Sequence, residues 1–347
     1  MIQKNNPPKS QNKVINLRGG FMRIAIAISG GDAVGINNFL LQISKNTCSD
    51  IVLYDGGING LLNDKFKEAT YRDLIDYALS PMPILTSGRT ENKLVEGEYL
   101  RIVKNLNKSK IDVLILAGGD GSLQFLNRLS LYGVNCFGVG MTIDNDVSGS
   151  HYTIGFSTAC EQVRLEVQKL RMTGRALPNR IFMVELLGAY SGELTLQSAI
   201  KSNADIALIP EYPISIEALS QKINQRLKVQ NSVVILCSEG YTKEYYPGFQ
   251  GAIDTVITEL EPLVSTRIRK AILGFSLRSG EPCCEELYQG TLMAKEVIRC
   301  LQSGLTNKAI IINSSNRAIP IDLSSIQRRQ TEKDDHYVKL AKDLNII

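Results

Sequence analysis

Two aspartates stand one residue apart in the stretch "GMTIDNDV" (140–147), directly after an apolar run. Paired carboxylates suit phosphoryl transfer to an alcohol. One accepts the hydroxyl proton and the other serves a metal that neutralises developing charge. On that reading Asp144 and Asp146 divide the work, with Thr142 beside them. The competing reading is an Asx-turn capped by the Asp and Asn side chains. Two glycine-rich stretches bear on the choice. "SGGDAVGINN" (29–38) reads as a strand-to-helix turn in which Gly30 and Gly31 let backbone N–H groups approach a phosphate. "GGDGS" (118–122) repeats that logic around Gly119, Gly121 and Ser122, with Asp120 inside it. A carboxylate there serves a phosphate only through a cation, and Mg²⁺ bridges phosphate and carboxylate oxygens. The alternative is an acid capping the helix that begins near Ser122. Arg89, Arg180, Arg269 and Arg278 all stand beside loops or strand starts, as candidate bidentate phosphate ligands.

These residues need a scaffold. Short β-branched runs at 23–28, 51–54, 112–117, 181–186, 205–210, 232–237 and 309–313 alternate with helical periodicity at 93–107, 121–131, 158–171, 215–228 and 285–302. Runs this apolar are buried on both faces, which predicts parallel strands covered by helices. The expected class is α/β, with two doubly wound αβα domains. The glycine- and acid-rich segments follow strands, where open parallel sheets bind ligands.

Bulk properties narrow the function classes. The 347 residues suffice for two domains. A net charge of +4, from 39 basic and 35 acidic residues without charge runs, does not suggest nucleic acid. Two histidines, His151 and His336, argue against a His-based metal site, and both read as solvated. Seven cysteines without a CxxC pair fit a reducing compartment. Residues 1–21 have no apolar core of a signal peptide and read as a disordered extension, with Met22 the start of the fold. No stretch of eighteen apolar residues exists, so the expectation is a soluble cytoplasmic protein with no membrane partner.

In order, "SGGDAVGINN", "GGDGS", "TIDND", "YTIGFSTA", "VELLGAYSGELTL", "SEG" and "ILGFSLRSGEP" resemble the phosphofructokinase family, from Met22 to the C-terminal region. The resemblance implies two α/β domains with the active site in the cleft between them, usually in a homotetramer. Its domain limits are 22–156 plus 277–325 for nucleotide and 157–276 plus 326–347 for sugar phosphate. The implied reaction moves the ATP γ-phosphoryl group, with Mg²⁺, to the 1-hydroxyl of fructose 6-phosphate. Asp144 resembles the general base, flanked by Thr142 and Asp146 in substrate and metal contacts. Gly30, Arg89, Asp120, Gly121 and Ser122 match the nucleotide side. Leu187, Gly188, Glu239 and Arg278 match sugar contacts. Arg180 and Arg269 match arginines lent to the 6-phosphate by a neighbouring subunit. Gly121 and Met141 resemble ATP-dependent rather than diphosphate-dependent members.

Departures are equally legible. The family's "MGR" reads Leu187-Gly188-Ala189, so an arginine near the transferring phosphoryl group is missing, and Arg175 is a candidate replacement. Phe275 stands where a phosphate-holding histidine is usual, and Val34 replaces a proline. Basic residues of the bacterial effector site are mostly unmatched around 40–44, 172 and 228–231. The alternatives are a divergent member acting on another sugar phosphate, or a nucleotide-binding regulator with little turnover. An NAD kinase explains "GGDGS" but not "TIDND".

Overall fold

In the computed structural model, residues 22–30, 33–88, 94–241, 252–328 and 335–347 are described. They form two compact units. The first holds the described residues up to Thr142, with Val147–Gly155 and Glu281–Arg328. The second holds Ile143–Asp146, Phe156–Gly280 and the described residues after Arg328.

The first unit is a seven-stranded sheet. Its strands are β1 (Arg23–Ser29), β2 (Asp50–Tyr54), β3 (Phe66–Ala69), β4 (Val113–Gly118), β5 (Cys136–Gly140), β10 (Lys308–Ile312) and β11 (Ala318–Asp322), ordered β11-β10-β5-β4-β1-β2-β3. The inner strands are parallel, and β1 and β4 are buried almost throughout because helices cover both faces. The helices are α1 (Ile36–Lys45), α2 (Gly57–Asn63), α3 (Tyr71–Tyr77), α4 (Glu96–Lys108) and α5 (Asp120–Ser130), joined by the later helix Cys284–Gln302. Both edges depart from the expected parallel pattern, since β3 and β11 run antiparallel to their neighbours. β3 reads "FKEA" and β11 reads "AIPID". Charge and proline are the usual means of blunting an edge.

The second unit has four parallel strands, β6 (Arg180–Leu186), β7 (Ile206–Leu208), β8 (Ser232–Ser238) and β9 (Ile268–Ile272), ordered β7-β8-β6-β9. Around them lie α6 (Phe156–Ala176), α7 (Glu193–Ser202), α8 (Ile216–Leu227), α9 (Ala252–Leu260) and, beyond α10 (Cys284–Gln302) of the first unit, α11 (His336–Asp343). The buried face of α6 recurs at Phe156, Ala159, Cys160, Val163 and Val167, a helical stripe. All seven cysteines are free thiols, and both histidines are exposed. No helix among the described residues is long and apolar enough to cross a membrane.

Candidate active site

Strand register builds the site in the first unit. Ser29 of β1 lies opposite Gly118 of β4, and Gly118 opposite Gly140 of β5. Three motifs therefore leave the sheet side by side at its carboxyl edge: the turn at Gly30, "GGDGS", and the start of "TIDND". The first two turns touch. A Cβ added at Gly30, whose φ is +99°, would lie 3.6 Å from Ser122 Oγ, and Ser122 Oγ donates to Ser29 O at 3.2 Å. At Gly118 a Cβ would come within 2.5 Å of Ser29 O, so only glycine permits this approach. Gly119 precedes α5 without a side-chain cap, and Asp120 is the first helical residue. Asp120 is thus not the capping acid of the alternative reading. Its carboxylate is 22% exposed and lies 3.7 Å from Arg328 Nε. Around Gly121 nothing lies within 4 Å of an added Cβ. The fold does not demand glycine there, which leaves the space to a ligand.

A fourth segment joins this edge. Gly30 N donates to Gly88 O at 3.3 Å and Ser87 Oγ to Gly30 O at 3.2 Å. A Cβ at Gly88 would fall 2.2 Å from Gly56 O. Asp55 ties the segment down: it accepts from Thr86 N at 2.9 Å, Thr86 Oγ1 at 2.5 Å and Lys65 Nζ at 2.9 Å. The Thr86 hydroxyl above all, then Lys65, holds the Asp55 carboxyl well below the usual carboxylate range. Gly31 and Arg89 lie outside the described residues.

"TIDND" starts as an extension of β5. Met141 N donates to Gly118 O at 2.9 Å, and Thr142 O accepts from Thr153 Oγ1 at 2.6 Å. Thr142 Cβ is 3.9 Å from a Cβ placed on Gly119. The chain then turns through Asn145, buried and left-handed at φ 51°. Left-handed Asn is what the turn reading requires. The turn also sorts the two acids, since Asp146 is buried and Asp144 only half-buried. Turn and acid pair are one structure.

In the second unit, β6 and β8 end together, Leu186 opposite Ser238. Glu239 Oε1 then accepts from Gly188 N at 3.3 Å and Ala189 N at 2.7 Å, fixing the loop that begins at Leu187. Gly188 and Ala189 have φ of +152° and +51°. A Cβ at Gly240 would lie 2.4 Å from Ala189 O, so the two loops abut. Arg278 ends a 3-10 turn (Gly274–Arg278), its guanidinium 5.8 Å from the ring centroid of Phe275, which is 80% exposed. Phe275 offers no donor to a phosphate and instead steadies the arginine by a cation–π contact.

Arg180 and Arg269 lie at the other edge of this sheet. Arg180 starts β6, and Arg269 pairs with Phe182, two residues along, so both project to one face. Arg267, which sequence reading overlooked, shares that face through the alternation "RIR". β6 separates this edge from Gly188 by about 20 Å at 3.3 Å per residue. Arg175 is at the arginine edge too, because neighbouring Gly174 packs on Ser232, the first residue of β8. It therefore cannot replace the missing arginine at Ala189 of its own chain. Arg328 was also overlooked; the arginine pair in "IQRRQ" carries no local motif.

No group of three or more His, Cys, Asp or Glu side chains gathers to hold a metal among the described residues. A lone, partly open Asp120 at a helix start beside glycine turns fits Mg²⁺, which takes one or two carboxylates and completes its shell with phosphates and water.

Known proteins agree with this architecture. The phosphofructokinase family profile matches residues 23–301. A probable ATP-dependent 6-phosphofructokinase of Mycoplasma pneumoniae is 32% identical over 308 residues, covering 86% of this chain and 90% of its own length. The ATP-dependent 6-phosphofructokinase of Finegoldia magna is 31% identical over 336 residues, covering 93% and 99%. Among solved structures, the pyrophosphate-dependent phosphofructokinase of Nitrosospira multiformis superposes with a TM-score of 0.80 at 15% identity, over 93% of this chain and 90% of that one. Phosphofructokinase from Saccharomyces cerevisiae gives 0.79 at 24% identity, over 93% of this chain and 46% of that one, so this chain spans less than half of the yeast polypeptide. At such identities the structures speak for the fold alone. From the profile and the sequence relatives together, the chain belongs to the phosphofructokinase family of kinases.

Proposed function

We propose that the protein transfers the γ-phosphoryl group of ATP to the 1-hydroxyl of fructose 6-phosphate. The observation that carries this reading is the side-by-side exit of the Gly30 turn, "GGDGS" and "TIDND" from adjacent strands. Backbone N–H groups at Gly119–Ser122 cradle the phosphates, with the Gly30 turn beside them and the positive end of α5 behind them. Arg89, following Gly88 in sequence, adds a cation to the same phosphates. The open space at Gly121 supports a nucleotide over diphosphate as donor. Asp120, helped by Asp146, holds Mg²⁺, whose contribution is to neutralise charge on the phosphates. Asp144, the more accessible acid of its pair, accepts the hydroxyl proton as the oxygen attacks phosphorus. Thr142 orients the hydroxyl. Leu187, Gly188, Glu239 and Arg278 bind the sugar, with Glu239 holding the loop after Leu187 through Gly188 N and Ala189 N.

Arg180 and Arg269 take the 6-phosphate. They stand about 20 Å from the Gly188–Glu239 loops of the same sheet, farther than an arginine side chain spans. Service to one substrate therefore requires a second copy of the chain, and the working form is a homo-oligomer, a tetramer or dimer. Free thiols throughout support a cytoplasmic setting. The first unit is then the nucleotide half and the second the sugar-phosphate half. Ala189 makes this a slower enzyme than members that keep the arginine. Replacing Asp144 by Ser tests the mechanism: turnover falls about 10²-fold or more while ATP affinity, measured by calorimetry, is retained. Full turnover in the variant removes Asp144 as the base.

A further inference from the structure

Arg328 places its guanidinium beside Asp120 of "GGDGS", although its own stretch carries no phosphate motif. Its backbone is fixed to the segment that follows the acid pair. Val147 and Arg328 form an antiparallel bridge, Ser148 N donates to Gln327 O at 3.0 Å, and Gln327 N donates to Ser148 Oγ at 2.8 Å. Ile326 anchors the same stretch, 3% exposed. Main-chain bonds and a buried neighbour hold the backbone at this position. The Arg328 side chain is 47% exposed and reaches the Asp120 carboxylate at 3.7 Å. A half-exposed ion pair of that length is weak and readily exchanged.

Asp120 opens α5 within "GGDGS", which the Gly30 turn touches at Ser122, so a cation beside it is beside the phosphates those turns would cradle. We propose that Arg328 is a ligand for the β- and γ-phosphates of the bound nucleotide, held in waiting on Asp120. Resting there, it offsets a carboxylate that would otherwise repel a polyanion. With Asp120 engaged by Mg²⁺, the guanidinium would serve the phosphate oxygens, which its fork of donors suits better than a single carboxylate oxygen at 3.7 Å. The inference rests on the nucleotide reading of these loops.

The test is calorimetric binding of ATP, ADP and AMP in excess Mg²⁺ to wild type, Arg328→Ala and Arg328→Lys. Loss of one charge-assisted phosphate contact weakens ATP about tenfold in Arg328→Ala, weakens ADP less, and leaves AMP unchanged. Arg328→Lys falls between, since lysine keeps the charge but not the fork. Equal loss for all three nucleotides, as a merely structural role would give, overturns the proposal, and so does no loss. Should Arg328→Ala fail to fold, Arg328→Gln, which keeps a long polar side chain, is read in the same way. Wild type that binds no ATP overturns the nucleotide reading along with it, an outcome distinct from a variant that behaves as wild type.

Discussion

Asp144 and Asp146 show how much chemistry a two-residue spacing carries, and what it omits. The spacing announced an acid pair, and also a turn. Which acid stays accessible depends on Asn145 in its left-handed conformation, and only coordinates reveal that. Arg328 was illegible for a plainer reason: its partner Asp120 is 208 positions away, and no local pattern joins them. Asp55 supplies a prediction at this scale. Its folded carboxyl titrates below its unfolded value, so its stabilisation is complete above the unfolded pKa, about 4. That stabilisation disappears as pH falls toward the folded value. Asp55→Asn therefore lowers the melting temperature at pH 7, and the gap from wild type narrows steadily below about pH 4. Thermal denaturation across pH 3–7 reads this directly, and a gap that widens in acid contradicts it.

At the scale of elements, the apolar runs at 23–28, 51–54, 112–117, 181–186, 232–237 and 309–313 reappear as parallel strands within a residue or so. Burial on both faces writes itself into sequence as an unbroken apolar run. The strands that were missed are those under other constraints. β3, β9 and β11 are edges, and β9 exposes Arg269, Lys270 and Ile272, whereas β5 was legible as the apolar run before "TIDND" despite its glycines. Gly138 of β5 would bring a Cβ to 2.6 Å from Leu123, so packing against α5 chose the residue over strand propensity. Gly88 offers the sharper test. A methyl group there meets Gly56 O, and relief requires moving the segment that docks on Gly30 and leads to Arg89. Gly88→Ala costs about 1–3 kcal/mol of stability, as overpacking does, and also weakens ATP binding. Denaturant unfolding and calorimetry report the two effects; unchanged ATP affinity would separate this loop from the nucleotide.

For the whole molecule, family membership was legible in the order of seven motifs, while the division of the second unit's residues between two sheet edges was not. The 20 Å between Arg180–Arg269 and Gly188–Glu239 makes a shared site a requirement of the proposed function. Inactive Asp144→Ser chains and inactive Arg269→Ala chains, co-assembled in equal amounts, should recover roughly a quarter of wild-type activity. Half the paired interfaces are mixed, and one of the two sites in each has both residues intact. Recovery no greater than the sum of the separate variants would place Arg269 in its own chain's site or outside the reaction. The central claim is the reaction itself. Coupled ADP release, with ATP or diphosphate offered against a panel of sugar phosphates, measures it most directly. ADP release that requires both ATP and fructose 6-phosphate is the predicted result; turnover only with diphosphate, only with another sugar phosphate, or with none of the panel contradicts it.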